Sequence, residues 1–270
     1  MQDWELPIVL IHILAKDKEK TLPYWLEQNL DKLDYPRDKV MLYFRTNNNN
    51  DDTGRIIRQW VSDQETLYER QDDDSWAYDW RHIEVDDSDV EEKVQRFGIH
   101  EWNAERFSVL GRLREEGIAM AKFWNCHYFV CDVDNYILPT TLRTLVETGR
   151  GVVAPILRSA DSEQLGYSNF HHPCTPNGYY QDSEEYFAIL NGVTRGILPV
   201  DVVHCTYLVR NEVLDKVLYQ DGTEDYEYVI FSRNLRNLGI QQYLDNRQIY
   251  GYLTLRENVD ACKEWMARIK

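Results

Sequence analysis

Ile8-Val9-Leu10-Ile11-His12-Ile13-Leu14 is a continuous apolar and β-branched run without the polar alternation of a half-exposed strand. Such a run fits a strand covered on both faces, the situation of a parallel sheet between helices. A helix follows to about Leu33, with Pro23 near its first turn and Leu22, Trp25, Leu26 and Leu30 at helical spacing. Tyr35-Pro36 stops it. Lys39 to Arg45 is a second strand, ending in Thr46-Asn47-Asn48-Asn49-Asn50-Asp51-Asp52, and Ile56 to Val61 a second helix. The β-α-β-α order predicts right-handed crossovers and a parallel sheet in a single α/β domain.

Further on, the apolar strand His127-Tyr128-Phe129-Val130-Cys131 runs into Asp132-Val133-Asp134-Asn135. Side chains repeat with period two, so the two carboxylates share one side of a strand end. Ligands of open α/β sheets bind outside the carboxyl ends of strands. Two hard oxygen donors there suit Mg²⁺ or Mn²⁺ carrying phosphate oxygens, which points to transfer from a nucleoside diphosphate. The plain alternative is a turn that ends the strand.

A long helix from about Asn103 to Trp124 precedes this strand, and a short one, Pro139 to Glu147, follows it. Strands are expected at Val152 to Ile156, Val200 to Val209 and Ile240 to Leu244, with a helix from Tyr228 to Leu238 ended by Gly239. Residues 160–196 form an aromatic excursion, and the tail from Arg256 is a short amphipathic helix. Asp72-Asp73-Asp74 and Asp86-Asp87 read as solvated acidic loops rather than metal ligands.

The net charge of −16 argues against nucleic acid as a partner, because a phosphate backbone demands a basic face. No window is apolar enough to span a membrane, and the amino terminus lacks the features of a signal peptide. Five unclustered cysteines fit a reducing, cytoplasmic setting. Eight Trp and 18 Tyr exceed what a core needs and suit pockets for flat apolar faces.

Several tracts in order carry a resemblance to a known family. They are Leu33-Asp34-Tyr35-Pro36, Asp132 to Leu138 with Thr141-Leu142, Val152-Val153-Ala154-Pro155, Tyr167-Ser168-Asn169-Phe170, Gly178-Tyr179-Tyr180, Val203-His204 and Tyr250-Gly251-Tyr252. Together they resemble the collagen β(1-O)-galactosyltransferases of glycosyltransferase family 25, which have the GT-A fold. The resemblance implies one mixed, mostly parallel Rossmann-like sheet. It divides the chain into a nucleotide-binding half (1–135), an acceptor-binding half (136–255) and a terminal helix (256–270). It also implies a UDP-hexose donor (galactose or glucose), Mn²⁺ or Mg²⁺, and inverting transfer to a hydroxyl of a protein side chain, such as hydroxylysine, or of a glycan. The family's His-containing stretch after the Tyr-Gly-Tyr tract is here Leu253-Thr254-Leu255-Arg256-Glu257, which leaves Asp132 and Asp134 as the protein metal ligands.

By the same resemblance, Asn47, Asn48 and Asp51 border the uracil and ribose, with Ala15, Lys16 and Asp17 beside them and Asp132 and Val133 in the same nucleotide site. Arg106 either forks onto phosphate or serves as a surface salt-bridge partner. Asp225 is the favoured general base, with Glu224 and Glu227 as alternates, and carboxylates there also suit a helix start. His204 is placed beside the sugar or acceptor, and Tyr167, Asn169, Phe170, His171 and Tyr179 form the acceptor wall. Two rival functions are a nucleotidyltransferase and a catalytically silent carbohydrate-binding or adhesion module. The first would need a glycine-rich loop after the first strand, where this chain has Ala15-Lys16-Asp17-Lys18-Glu19-Lys20.

Overall fold

The structure, a computed structural model, describes residues 1–69, 80–92 and 103–269. The Asp72-Asp73-Asp74 run lies outside the described residues. The first strand, β1 (Val9–Leu14), leads into α1 (Leu22–Trp25), which continues as a π-helical turn over Leu26–Asp31. Then come β2 (Val40–Arg45), α2 (Thr53–Glu69), β3 (His82–Asp86), α3 (Ala104–Phe123) and β4 (His127–Cys131). Asn103 caps α3, its side chain accepting from the Arg106 backbone.

The second half opens with β5 (Asn135–Ile137), α4 (Thr141–Glu147), β6 (Val152–Pro155) and β7 (Leu157–Ser159). The aromatic excursion holds β8 (Phe170–His171) and α5 (Glu184–Leu190). Next are β9 (Ile197–Val200), β10 (Val202–Val203) and β11 (Thr206–Val209), then α6 (Glu227–Asn237), β12 (Gln242–Asp245), β13 (Gly251–Leu253) and α7 (Val259–Met266). Among the described residues no helix is long and apolar enough to cross a membrane.

The main sheet has the order β3-β2-β1-β4-β11-β6-β12-β9. Neighbours from β3 to β4 are parallel, as are β6 and β12, while β11 and β9 run against them. Leu14 pairs with Arg45 and His12 with Val130, so β1, β2 and β4 all end at one edge. The loops after these strands, including the Asp132–Asn135 tetrad, therefore face one another. Antiparallel β11 starts where β4 stops, Thr206 pairing with Cys131. This brings His204 and Cys205 beside the tetrad. In a smaller sheet β13 pairs antiparallel with β5, and the Thr254 N–H donates to the Asp134 carbonyl at 3.0 Å. The segment after Tyr252 thus also reaches the acidic edge.

The expected single strand from Val200 to Val209 is divided among the end of β9, β10 and β11. Cys205 adopts φ +64, a left-handed conformation costly for a residue with a Cβ. The break lets β10 pair with β8 while β11 joins the main sheet. Beneath α3, the fully buried His12 stacks on Tyr43 with ring centroids 4.9 Å apart, and its Nδ1 meets the Tyr128 hydroxyl at 2.8 Å. Gly117 of α3 lies against that imidazole so closely that a Cβ would overlap it. The lack of a side chain is what lets the helix settle on β1.

Candidate active site

The acidic tetrad is held by its backbone, which leaves its carboxylates for other work. Trp25 of α1 donates through Nε1 to the Asp132 carbonyl at 2.9 Å. The Asn29 amide donates to the Asn135 carbonyl at 2.7 Å and accepts from the Ile137 N–H at 3.0 Å. Asn135 itself donates to Thr206 Oγ1 at 2.8 Å, tying the turn to β11. The last tetrad residue is therefore structural, and the two aspartates differ. Asp132 Oδ1 accepts from Arg114 Nη2 at 2.5 Å, the guanidinium itself being buried, whereas Asp134 meets only the Lys18 ammonium, at 3.4 Å; both aspartate side chains are partly exposed. Burial pushes the Asp132 carboxyl up, against the pull of the Arg114 guanidinium.

A cavity of about 430 Å³ opens on these groups. It brings together Ala15, Lys16, Asn47, Arg106, Asp132, Val133, Asp134, Tyr167, His204 and Glu227 of the expected site residues. Leu14, Phe107, Val109, Leu110, Leu113, Leu253 and Leu255 give it an apolar side. Three buried polar atoms of lining residues have no hydrogen-bond partner among the described residues: Arg114 Nη1, His204 Nε2 and Glu227 Oε2. A buried unsatisfied group is costly, so each is a place for a ligand or water to bond.

Glu227 is the first residue of α6 and is buried. Burial, helped by the Asp132 charge and opposed by Arg114, raises its carboxyl to about 7. His204 is held well below the ordinary imidazole value by burial and by neighbouring His171, so its ring is neutral. Its Nδ1 faces Cys205 Sγ at 2.8 Å, and its ring packs between Tyr167, His171 and Tyr228.

Other expected site residues do structural work away from the cavity. Asp225 accepts from the Tyr179 hydroxyl and from Arg233, each at 2.7 Å, and these bonds hold its carboxyl below the ordinary range. Glu224 is exposed and does not line the cavity. Asn48, with φ +46, accepts from the Val90 N–H at 3.0 Å and so stitches the end of β2 to the loop after β3. Asp17 accepts from the Asn50 N–H at 2.6 Å, and Asp51 from the N–H groups of Glu19 and Thr53 at 3.0 Å. Asn169 is fully buried, bonding the backbone of Leu157 and Pro155, and Phe170 stacks on Tyr186 in the core. Tyr167 alone of the expected acceptor wall lines the cavity; His171 stands behind His204, and Tyr179 is spent on Asp225.

Arg114 was not singled out by the sequence. It lies eight residues beyond Arg106, about two helical turns along the same face, and both line the cavity. Lys18 was also passed over. Its Nζ lies 3.4 Å from Asp134 Oδ2 and 3.5 Å from Glu257 Oε1. Burial lowers the Lys18 ammonium, but the two carboxylates outweigh that and hold it above its ordinary value.

The description of the glycosyltransferase family 25 N-terminal domain matches residues 6–264. Procollagen galactosyltransferase 2 of Homo sapiens is 32% identical over 94% of this chain and 41% of its own length. The probable inactive glycosyltransferase 25 family member 3 of Bos taurus is 33% identical over 93% of this chain and 41% of its own. The chain thus spans about two fifths of the length of these curated relatives. Among solved structures, S. aureus TarS 1-349 in complex with UDP-GlcNAc superposes with a TM-score of 0.56 at 13% identity, covering 92% of this chain and 59% of that one. The mannosyltransferase PcManGT from Pyrobaculum calidifontis, in complex with GDP-Man and Mn²⁺, gives 0.55 at 12%, covering 97% and 61%. These likenesses show the fold, a GT-A-type arrangement.

Proposed function

The chain belongs to glycosyltransferase family 25, and from that footing we propose that it is a metal-dependent, inverting glycosyltransferase. The donor is a UDP-hexose, UDP-galactose or UDP-glucose, and the acceptor a hydroxyl, on hydroxylysine of a collagen-like protein or on a glycan. The observation that carries this reading is Glu227: a buried carboxyl with an unpartnered oxygen, raised to about 7, on the cavity that Asp134 borders.

The residues fit a divalent cation of the kind that phosphate sites use. Mg²⁺ or Mn²⁺ there takes one or two carboxylates and completes its shell with phosphate and water. Asp134 supplies such a carboxylate, and the Lys18 ammonium beside it stands in for a cation. Among the described residues no cluster of three or more His, Cys, Asp or Glu is arranged to hold a metal, so substrate oxygens would supply the rest. When bound, the cation would neutralise charge developing on the leaving diphosphate.

The chain's own groups then divide the work. The Glu227 carboxylate takes the acceptor proton as the hydroxyl oxygen attacks the anomeric carbon; the bond to the diphosphate oxygen breaks, and UDP leaves. Glu227 replaces Asp225 in this role, because Asp225 lies off the cavity and is held ionised by Arg233 and Tyr179. Neutral His204 and the Tyr167 ring orient the acceptor, Arg114 fixes Asp132, and Asn47 with Ala15 borders the base. The test is UDP release and sugar transfer with UDP-galactose or UDP-glucose and Mn²⁺. Wild-type transfer that is lost in Asp134→Ala and Glu227→Gln supports the reading. Transfer that survives Asp134→Ala, or a wild-type protein that neither binds UDP nor releases it, overturns it.

A further inference from the structure

We propose that Lys18 is a ligand of the donor's diphosphate, parked in the free protein between Asp134 and Glu257. The inference rests on the reading of the cavity as a UDP-sugar site. The Lys18 backbone is fixed from both sides: its N–H donates to Thr53 Oγ1 at 2.6 Å, and its carbonyl accepts from the Leu22 N–H at 2.9 Å. Only the side chain can move, and lysine carries a compact charge on a flexible four-carbon arm. Its Nζ stands 3.4 and 3.5 Å from the two carboxylates, longer than the 2.7–2.9 Å of a tight charge-assisted bond.

Three other cations that line the cavity are paired. Lys16 pairs with Asp17, Arg114 with Asp132, and Arg45 with Glu116 and Asp86. The parking place is a deliberate one. The Glu257 side chain is only 10% exposed, its Oε1 has no hydrogen-bond partner among the described residues beyond the ion pair with Lys18, and its backbone sits at φ +56. Buried charge and left-handed backbone both cost stability. A diphosphate held at Asp134 would come within reach of the Lys18 arm, which already stands beside that carboxylate. Lys20, 4.0 Å from Glu257 Oε2, remains to face Glu257 when Lys18 leaves.

Calorimetry on the whole chain with Mn²⁺ tests this, using UDP, UMP and uridine as probes. Lys18→Met is expected to weaken UDP by about tenfold, the loss of one charge-assisted bond. It should weaken UMP less and leave uridine unchanged. Lys18→Arg, which keeps the charge, should bind UDP within a few-fold of wild type, and it carries the test if Lys18→Met does not fold. Glu257→Gln, which loosens the parking place, should bind UDP at least as tightly as wild type. Equal losses for all three probes, an unchanged ratio of UDP to UMP affinity, or weakened UDP binding in Glu257→Gln would overturn the proposal. A wild-type protein that does not bind UDP would overturn the glycosyltransferase reading beneath it.

Discussion

Arg114 Nη2 donates to Asp132 Oδ1 at 2.5 Å, and the arginine side chain is 4% exposed. One oxygen of the first aspartate is thus taken at close range by the protein, while Asp134, on the same cavity, meets Lys18 only at 3.4 Å. The two aspartates of the tetrad are unequal because a helix, α3, delivers a guanidinium to one of them.

Breaking this pair from one side should be severe. Arg114→Met leaves the partly exposed Asp132 carboxylate without its buried guanidinium partner, at a cost on the order of 1–3 kcal/mol. The double variant Arg114→Met with Asp132→Asn removes the stranded charge and should recover part of that stability. Urea unfolding of the four proteins measures both terms. A single variant as stable as wild type would show that Arg114 contributes nothing to holding the tetrad.

Glu227 makes stability depend on pH in a stated direction. Its folded value of about 7 stands above the ordinary glutamate value of 4.5, so the folded state holds the proton more tightly. The contribution is complete below about 4.5 and is lost as pH rises through about 7. The span corresponds to roughly 3 kcal/mol, an upper bound for one group. Glu227→Gln should therefore gain stability over wild type at pH 8 and show little difference at pH 4. In the enzyme, the same ionisation sets a rising limb of kcat/KM near pH 7. Chemical denaturation at the two pH values, and a pH profile of UDP release, read the two effects separately.

Much of this site was legible before the fold was seen, and the failures have physical causes. The tetrad stands out because β4 is an unbroken apolar strand ending in polar residues, which is a local pattern. Glu227 and Asp225 are two residues apart at a helix start, where every carboxylate looks favourable. Burial and partners separate them, and both depend on α3 and on the Arg233 and Tyr179 side chains. Arg106 and Arg114 share a helical face, and the sequence does not say which one meets an acid on a neighbouring strand. Asn48, Asp51 and Asp17 are polar loop residues that accept from the backbone N–H groups of Val90, Glu19 and Asn50, a use with no sequence signature distinct from ligand binding. The break at Cys205 was hidden in an apolar stretch, because a left-handed residue without glycine leaves no mark in composition.

The seat of α3 on β1 depends on Gly117. The His12 ring beneath it is pinned by Tyr43 and Tyr128 and cannot retreat. Gly117→Ala should destabilise the chain by about 1–3 kcal/mol, the usual cost of overpacking, although alanine favours helix. Thermal unfolding against wild type checks it. Adding His12→Ala, which opens space at that point, should reduce the added cost of the alanine.

The sharpest comparison is between Asp225 and Glu227. Asp225 is committed to Arg233 and Tyr179, and its low value makes it a weak proton acceptor even if a hydroxyl could reach it. Glu227 lines the cavity and titrates near neutrality, where a base combines ionisation with useful basicity. Asp225→Asn should keep kcat within several-fold of wild type, with a stability loss of about 1 kcal/mol from the weakened contacts of a partly exposed side chain. Glu227→Gln, nearly the same shape as the native residue, should lower kcat by about 10²–10⁴ while leaving UDP affinity close to wild type. Steady-state kinetics of the two variants, with UDP binding measured alongside, decide between them. A kcat that collapses in Asp225→Asn and survives in Glu227→Gln would return the proton to Asp225 and require α6 to shift when the acceptor binds.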